Sequence, residues 1–455
     1  MSTSPARAAA FDVLLRIEQQ AAYASELLHA NPYAKLSPAD HGLTTELVMG
    51  VLRWRSLLDA EISRFSKTRV EKLDLEVLTA LRLAAYQLLF LDRVPGRAAV
   101  HESVELVKRA RKRSAASFTN AVLRKLAEGT SAAKAAAKDE GFLAALRGAA
   151  ECGSAAELSR KLAHPLWLVE RWARQFGLDR ARLVCGYDQQ APAAAVRFAD
   201  IRTEAELKLD GIELAPGQLL TSARRIRAGN VSLTRAYAED RVAIQDEASQ
   251  LVALVVGRGP RILDCCAAPG GKTRVLAERN PDARIVALEL HAHRARLLRK
   301  LVSAKNVEVV NSDLSEFAAS ASFERVLADV PCSGTGTLAH NPEIKWRLRA
   351  EDLADLAVRQ LAILRAAMRH VAPAGRLVYS TCSLEREENE EVVEQALAAE
   401  PTFRAINSRI EIERLRAEGE LAWKDIDSLL SGPFLRTIPG VHPCDGFFVA
   451  ILQKS

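Results

Sequence analysis

The chain has 455 residues, 49% hydrophobic and 26% charged, with a formal net charge of +6 at pH 7. That is too long for one ordinary core, so two to four globular domains are expected. The mildly basic balance admits a nucleic-acid partner without demanding one.

The start, MSTSPARAAAFDVLLRIEQQ, is broken by Arg7, Asp12, Arg16 and Glu18, so no signal peptide is expected. No stretch nears the ~20 apolar residues of a spanning helix, so no membrane partner and a cytoplasmic location are expected. Seven cysteines form an odd set with no CxxC pair. They read as reduced thiols, and no metal is expected.

Residues 5–128 carry apolar positions at helical spacing throughout. Ser37 and Asp40 mark a helix start, and Pro95-Gly96 punctuates between two segments. The predicted core of this bundle includes Leu14, Leu15, Leu27, Val48, Leu52, Leu58, Leu78, Leu81, Tyr86, Leu89, Val104 and Leu123. The helix VLTALRLAAYQLLFL reads as buried despite Arg82 and Gln87. A basic run follows it: Lys108, Arg109, Arg111, Lys112 and Arg113. Two readings stand, a solvated helix end favoured by the helix dipole and a phosphate-contacting patch. LRLAAYQLLFLDRVPGRAAVHESVELVKRA and SFTNAVLRKL resemble the NusB family. That resemblance implies a helical RNA-binding domain over 1–130.

An Ala-rich linker is expected over 131–154. Residues 155–240 then read as a small helical and ferredoxin-like α+β module. His164 is expected to be a satisfied polar group and Trp167 and Trp172 core residues. Arg197, Arg224, Arg225 and Arg227 give this module a basic face suited to guiding RNA.

From about Arg241 to the C-terminus, apolar strands alternate with amphipathic helices. The pattern predicts a doubly wound, largely parallel sheet with function at the strand carboxyl ends. Those ends carry Asp264, Glu289, Asp313, Asp329 and Cys382. The first strand opens onto CCAAPGGKT, a small-residue loop leading into a helix. It matches neither GxGxxG nor GxxxxGK[ST], so neither a dinucleotide fingerprint nor a P-loop is present. An acid ending the second strand, Glu289, suits a ribose, and Asp313 suits an adenine amino group. Cys152, Cys185, Cys265 and Cys444 read as buried hydrophobes. Cys332 and Cys382 differ: each follows an apolar strand among Pro, Ser, Thr or Gly. Two thiols at the ends of neighbouring strands imply covalent catalysis on an electrophilic carbon. A redox pair is the other reading, without the usual CxxC.

ILDCCAAPGGKT, LADVPCSGTGTLAHNPEIKW, LVYSTCSLEREENE and HPCDGFF resemble the RNA cytosine-5 methyltransferase family over residues 241–455. The whole is then multidomain: an all-α NusB-like bundle, a small α+β linker domain, and an α/β Rossmann-like methyltransferase domain. The resemblance implies S-adenosyl-L-methionine as cofactor and, with the NusB-like leader, 16S ribosomal RNA as partner; a monomer is expected. It implies Cys382 as nucleophile, Cys332 in elimination and product release, Asp329 on the base edge, and Lys272 steering the base or developing charge. It places the cofactor on Cys266, Ala267, Ala268, Pro269, Gly270, Gly271, Lys272, Glu289, Asp313 and Asp329. Chemistry at C5 needs an unstacked base. Lys345 is expected to contact RNA at its entrance, with Pro342, Trp346 and Arg347 beside it and Trp346 either core or a stacking wall. A transfer RNA methyltransferase shares the catalytic half, and only the leader argues against it. A non-catalytic RNA-binding or antitermination protein is opposed by the intact Cys382, Cys332, Asp329 and Lys272.

Overall fold

The computed structural model describes residues 3–20, 22–28, 33, 35–136, 152–198, 200–319 and 321–455. The central part of the expected linker, 137–151, lies outside them. The chain divides into two units. One is Met1–Ala191 with Leu338–Leu348, and the other is Pro192–Thr337 with Arg349–Ser455.

The first unit is helical: α1 (Pro5–Gln20), α2 (Ala24–Leu28), α3 (Pro38–Phe65), α4 (Leu75–Phe90), α5 (Gly96–Arg109), α6 (Ala116–Ala136), α7 (Ala155–Lys161), α8 (Leu166–Phe176) and α9 (Leu178–Asp188). Ser37 caps α3, its hydroxyl accepting from the Asp40 N–H at 3.1 Å. Every residue of α4 from Val77 to Leu89 is buried, so its polar side chains, Arg82 and Gln87 among them, must find partners. Arg82 forks onto both oxygens of Asp59 at 2.7 Å. Gln87 accepts from Arg7 Nε at 2.7 Å and donates to the Leu83 carbonyl at 2.8 Å. Of the predicted bundle core, Leu15 and Val104 are only half-buried and the rest are buried. Trp172 is fully buried and Trp167 half-buried. His164 is satisfied by the Leu162 carbonyl at 2.6 Å and Asp188 at 3.2 Å.

The second unit begins with a small antiparallel sheet made of β1 (Ala195–Phe198), β2 (Glu213–Pro216), β3 (Ala223–Ala228) and β4 (Val242–Ile244), with α10 (Ile201–Leu209) after β1. Its order, β2-β3-β1-β4, is that of a ferredoxin-like unit. The expected 155–240 module is therefore divided by the fold. Its helices α7–α9 belong to the first unit, while its strands share the second unit with the larger sheet. β4, which lies within the stretch from Arg241 expected to belong to the catalytic half, pairs with β1.

The larger sheet follows through α11 (Glu247–Val256), β5 (Arg261–Asp264), α12 (Gly271–Arg279), β6 (Arg284–Glu289), α13 (Ala292–Leu301), β7 (Val307–Asn311), β8 (Phe323–Asp329), α14 (Asp352–Met368), β9 (Val371–Thr381), α15 (Glu390–Ala399), β10 (Phe403–Ile406), α16 (Arg409–Ala417), β11 (Leu430–Ser431), β12 (Phe434–Arg436) and β13 (Phe448–Lys454). The order is β11-β12-β13-β9-β8-β5-β6-β7, with β10 paired to β13. Strands β5 to β9 are parallel, and β13 runs antiparallel to β9. The period-two alternation supplies a core on each face. Ile262, Ile285 and Leu327 pack with Leu251, Val252 and Leu276 on one side. Leu263, Val286 and Val326 pack with Leu364, Met368 and Val392 on the other. β10 carries no motif that marks it in the sequence. Strand order reverses at β5, between β8 and β6, which makes the carboxyl end there the place for a ligand.

Among the described residues, no helix is long and apolar enough to cross a membrane. The α3–α4 crossing depends on Gly50, where an added Cβ would stand 2.0 Å from Cζ of Tyr86. Gly50→Ala gains about 1 kcal/mol of helix propensity but forces the ring aside at a cost of about 1–3 kcal/mol. The thermal midpoint of the first unit should therefore fall. Gly50→Ala with Tyr86→Ala should be less destabilising than the sum of the two. Additive losses in thermal melts would show that these positions do not meet.

Candidate active site

At the first strand end, β5 delivers Asp264 into a fully buried position. Its Oδ2 accepts from Thr273 Oγ1 at 2.8 Å, and its Oδ1 has no hydrogen-bond partner. Burial pushes this carboxyl up to about 7, against the pull of the Thr273 hydroxyl. An orphaned buried carboxylate oxygen suits a ligand that brings a cation or a donor. The loop that follows is pinned to its neighbours by Cys265 N–H to the Leu327 carbonyl at 2.8 Å and Ala267 N–H to the Leu288 carbonyl at 2.9 Å. The Ala268–Pro269 peptide is cis. No side chain caps α12 at Gly270, so its first N–H groups are left for a ligand. Cys266 lines this loop, its thiol pushed up by burial and by the Asp264 charge. That disfavours the thiolate a nucleophile needs.

The next two strand ends carry Glu289 and Asp313. Glu289 is buried, and its Oε1 accepts from the His291 N–H at 2.9 Å. Asp313 accepts from the N–H and hydroxyl of Ser315 at 2.7 Å, which holds its carboxyl below the usual range. Asp264, Glu289, Asp313 and Asp329 thus end four adjacent strands or begin the loops after them. These residues fit a cofactor with ribose hydroxyls, an amino group and positive charge.

On the other side of the reversal, β8 and β9 pair with Asp329 opposite Ser380. Asp329 Oδ1 accepts from Ser380 Oγ at 2.6 Å and Oδ2 from Lys272 Nζ at 2.7 Å. Burial opposes the charge on Lys272, but Asp329 outweighs it and the amine is held above its usual value. The same ammonium lies 4.9 Å from the ring centre of Phe447. Beyond these strands Cys332 and Cys382 bring their sulfurs within 3.3 Å. The hydrogen bond to Cys382, followed by burial, pushes the Cys332 thiol well up, which favours its S–H form. Gly336 locks the Cys382 loop in place. Its N–H donates to the Cys382 carbonyl at 2.9 Å, and its own carbonyl accepts from Gly446 N–H at 2.8 Å. A Cβ at Gly336 would stand 2.2 Å from the Gly446 carbonyl oxygen, so no larger residue fits. The four expected catalytic residues therefore stand in two touching pairs.

The expected RNA contacts fare differently. Lys345 is buried in the first unit, donating to the carbonyls of Arg53 at 2.8 Å and Ala163 at 3.1 Å. Burial lowers its amine to about 7, although Asp188 opposes this. It is a structural tether, which corrects its reading as an RNA contact. Trp346 donates to the Leu52 carbonyl at 2.6 Å and Glu343 accepts from Ala24 N–H at 2.8 Å, so this segment is bound by side chains along its length. Arg197 is buried against Glu278 at 2.9 Å, and Arg224 pairs with Glu204 at 2.9 Å. Arg225 is mostly covered and bonds Gln218. Neither Arg197 nor Arg225 forms an exposed basic face. In the basic run, Lys108 pairs with Glu105, Arg109 with Asp12 and Lys112 with Asp74. Arg111 and Arg113 are exposed and have no such pair among the described residues.

Two features escape a reading of the sequence. No acid occurs between Leu290 and Val307, a span holding Arg294, Arg296, Arg299, Lys300 and Lys305. Arg296, Arg299, Lys300 and Lys305 are exposed and pair with no carboxylate among the described residues. The absence of acids was the available signal. The second is the polar support beneath the thiols, Ser333, Ser383, Gln360 and Glu388, all buried. A charged run such as EREENE gives no hydropathy signal that one of its acids is internal.

Residues 251–453 match the family described as 16S rRNA methyltransferase RsmB/F, and residues 4–128 match the NusB family. The chain is 31% identical to the probable ribosomal RNA small subunit methyltransferase B of Bacillus subtilis, covering 100% of both chains. It is 30% identical to the ribosomal RNA small subunit methyltransferase B of Vibrio cholerae, covering 99% of this chain and 97% of that one. The crystal structure of PH0851 shares the fold over 100% of both chains, with a TM-score of 0.76 at 23% identity. With two relatives at or above 30% identity over nearly its whole length, the chain belongs to the ribosomal RNA small subunit methyltransferase B family.

Proposed function

We propose that this chain methylates C5 of a cytosine in 16S ribosomal RNA through an adduct between Cys382 and C6. The observation that carries this is the 3.3 Å approach of two thiols at adjacent parallel strand ends, beside the Lys272–Asp329 pair. S-adenosyl-L-methionine, when bound, supplies an electrophilic methyl carbon. Asp264, the Cys266–Lys272 loop, Glu289 and Asp313 are the residues that would hold it.

Cytosine C5 is a poor nucleophile. Attack of the Cys382 thiolate on C6 forms the S–C6 bond and shifts the C5–C6 electron pair into the ring, leaving an enamine carbon at C5. Asp329 holds the N3/N4 edge, and the Lys272 ammonium beside it orients and neutralises the carboxylate and offsets the negative charge gathering on the ring. Once C5 is methylated it carries one proton too many. Transfer of that proton to solvent and cleavage of the S–C6 bond, its electron pair leaving with sulfur, restore the aromatic ring and return Cys382. The S–H of Cys332, 3.3 Å away, stabilises the departing sulfur as a hydrogen-bond donor. RNA phosphates meet Arg111 and Arg113 in the first unit and Arg296, Arg299, Lys300 and Lys305 in the second.

Cys382→Ala should lower methyl transfer on the order of 10³-fold or more while cofactor affinity is kept. Full activity in that variant overturns the mechanism. Cys332→Ala should accumulate a covalent protein–RNA species visible as a slow band on a denaturing gel, and its absence removes Cys332 from product release. Replacing Arg296, Arg299, Lys300 and Lys305 by Gln should flatten the slope of log affinity against log salt by roughly 0.7–0.9 for each phosphate no longer neutralised. The same change at Lys108, Arg109 and Lys112 should alter it less. Equal slopes for wild type and the first variant would return α13 to an ordinary solvated face. Bisulfite mapping of ribosomal RNA with and without the gene identifies the target nucleotide. If no cytosine in that RNA loses its methyl group, the assignment to 16S RNA fails.

A further inference from the structure

Two sulfurs on separate loops need something to fix their spacing, since each loop has left the sheet where it stands. The residue following each cysteine is a buried serine, and both serines reach the same carboxylate. Glu388, fully buried, accepts from the Ser333 hydroxyl at 2.5 Å and from the Ser383 hydroxyl at 2.5 Å through its Oε2. Its Oε1 accepts from the Ser333 N–H at 2.8 Å and from Gln360 Nε2 at 2.8 Å. Gln360 also donates to the Pro331 carbonyl at 2.9 Å, just before Cys332. The serine hydroxyls themselves lie 3.0 Å apart. The backbone at Glu388 is held in turn, its carbonyl accepting from the Tyr379 hydroxyl at 2.6 Å. Next in sequence, Asn389 accepts from Thr381 Oγ1 at 2.5 Å and donates to the Ser383 carbonyl at 2.9 Å.

We propose that Glu388 is a positioning residue for the reaction. It clamps the Cys332 loop through Ser333 and the Cys382 loop through Ser383, and so sets the distance between the two thiols. This rests on the covalent reading of Cys382 given above. The clamp touches neither substrate nor cofactor. It works by geometry: an ionised carboxylate only accepts, and four donors converge on it, so both loops are drawn to one point. A glutamine of the same shape can do likewise, its carbonyl taking Ser333 N–H and Gln360 while its NH₂ group meets hydroxyls that turn to accept. An alanine cannot.

The test uses the full chain and RNA in which 5-fluorocytidine replaces cytidine, so that the group which must leave C5 is a fluorine and the adduct persists. Glu388→Ala should lower kcat and the rate of adduct formation about 100-fold, the scale of a displacement near 1 Å, with KM for RNA and cofactor affinity unchanged within about threefold. Glu388→Gln should recover both rates to within about fivefold. If Glu388→Ala does not fold, the two struts are cut singly. Ser383→Ala should slow adduct formation, while Ser333→Ala should slow release and accumulate adduct on ordinary RNA. The proposal is overturned if Glu388→Ala reacts at the wild-type rate, if Glu388→Gln is as impaired as Glu388→Ala, or if both serine variants slow the same step. Absence of an adduct in the wild-type lane overturns the covalent reading itself, which separates the two failures.

Discussion

The parallel pairing of β8 with β9 is what the reaction centre depends on. Its register sets Ala328 opposite Tyr379 and Asp329 opposite Ser380. That choice aims Ser380 Oγ at Asp329, and Asp329 in turn holds Lys272 from the loop after the neighbouring strand β5. A slip of one residue would turn every side chain of one strand to the opposite face. Asp329 would then enter an apolar layer, and the thiols would leave their strands on opposite sides. The apolar alternation of Val326, Leu327, Leu377 and Val378, each packed into one face or the other, is therefore a condition for the chemistry as well as for stability.

The two halves of the centre use buried polarity differently. Asp264 keeps one oxygen without a protein partner and has a raised carboxyl, an arrangement that is costly unless a ligand completes it. Glu388 has its donors supplied from within, by two serines and a glutamine. The first is poised to receive something and the second to hold something still. Such a division is expected where a small molecule must exchange at every turnover while two thiols must not wander.

Much of this is legible in the residues. Helical spacing locates the bundle, and α4 reads as buried despite Arg82 because one cation can be matched by one partner. Small residues after β5 and the strand-end acids locate the ligand side. Pro-Cys and Thr-Cys locate the thiols. What is not legible comes from contacts between residues far apart in sequence. Lys345, in the polar stretch PEIKW, looks exposed, yet it meets the Arg53 carbonyl 292 positions away. Arg197 looks like a surface cation on a short strand and is cancelled by Glu278 on α12. Helices α7–α9 have no local feature that attaches them to the bundle rather than to the strands that follow. The run from Lys108 to Arg113 stands out as a basic cluster, but its charges are largely answered by Glu105, Asp12 and Asp74. The helix α13 looks ordinary because its cations are spread out, though no carboxylate among the described residues answers most of them.

The segment Leu338–Leu348 has a consequence for how the protein is made. It is synthesised after the Cys266–Lys272 loop and Cys332, yet it belongs to the leader's unit. The carbonyls of Leu52, Arg53 and Ala163 and the N–H of Ala24 find partners there in Trp346, Lys345 and Glu343. On the ribosome, the leader is therefore unfinished until residue 348 has emerged, and domain-by-domain folding from the N-terminus does not describe this chain. Nor is the leader a cassette that a gene fusion could lift out whole: cut at residue 191, it would lose the piece that closes it.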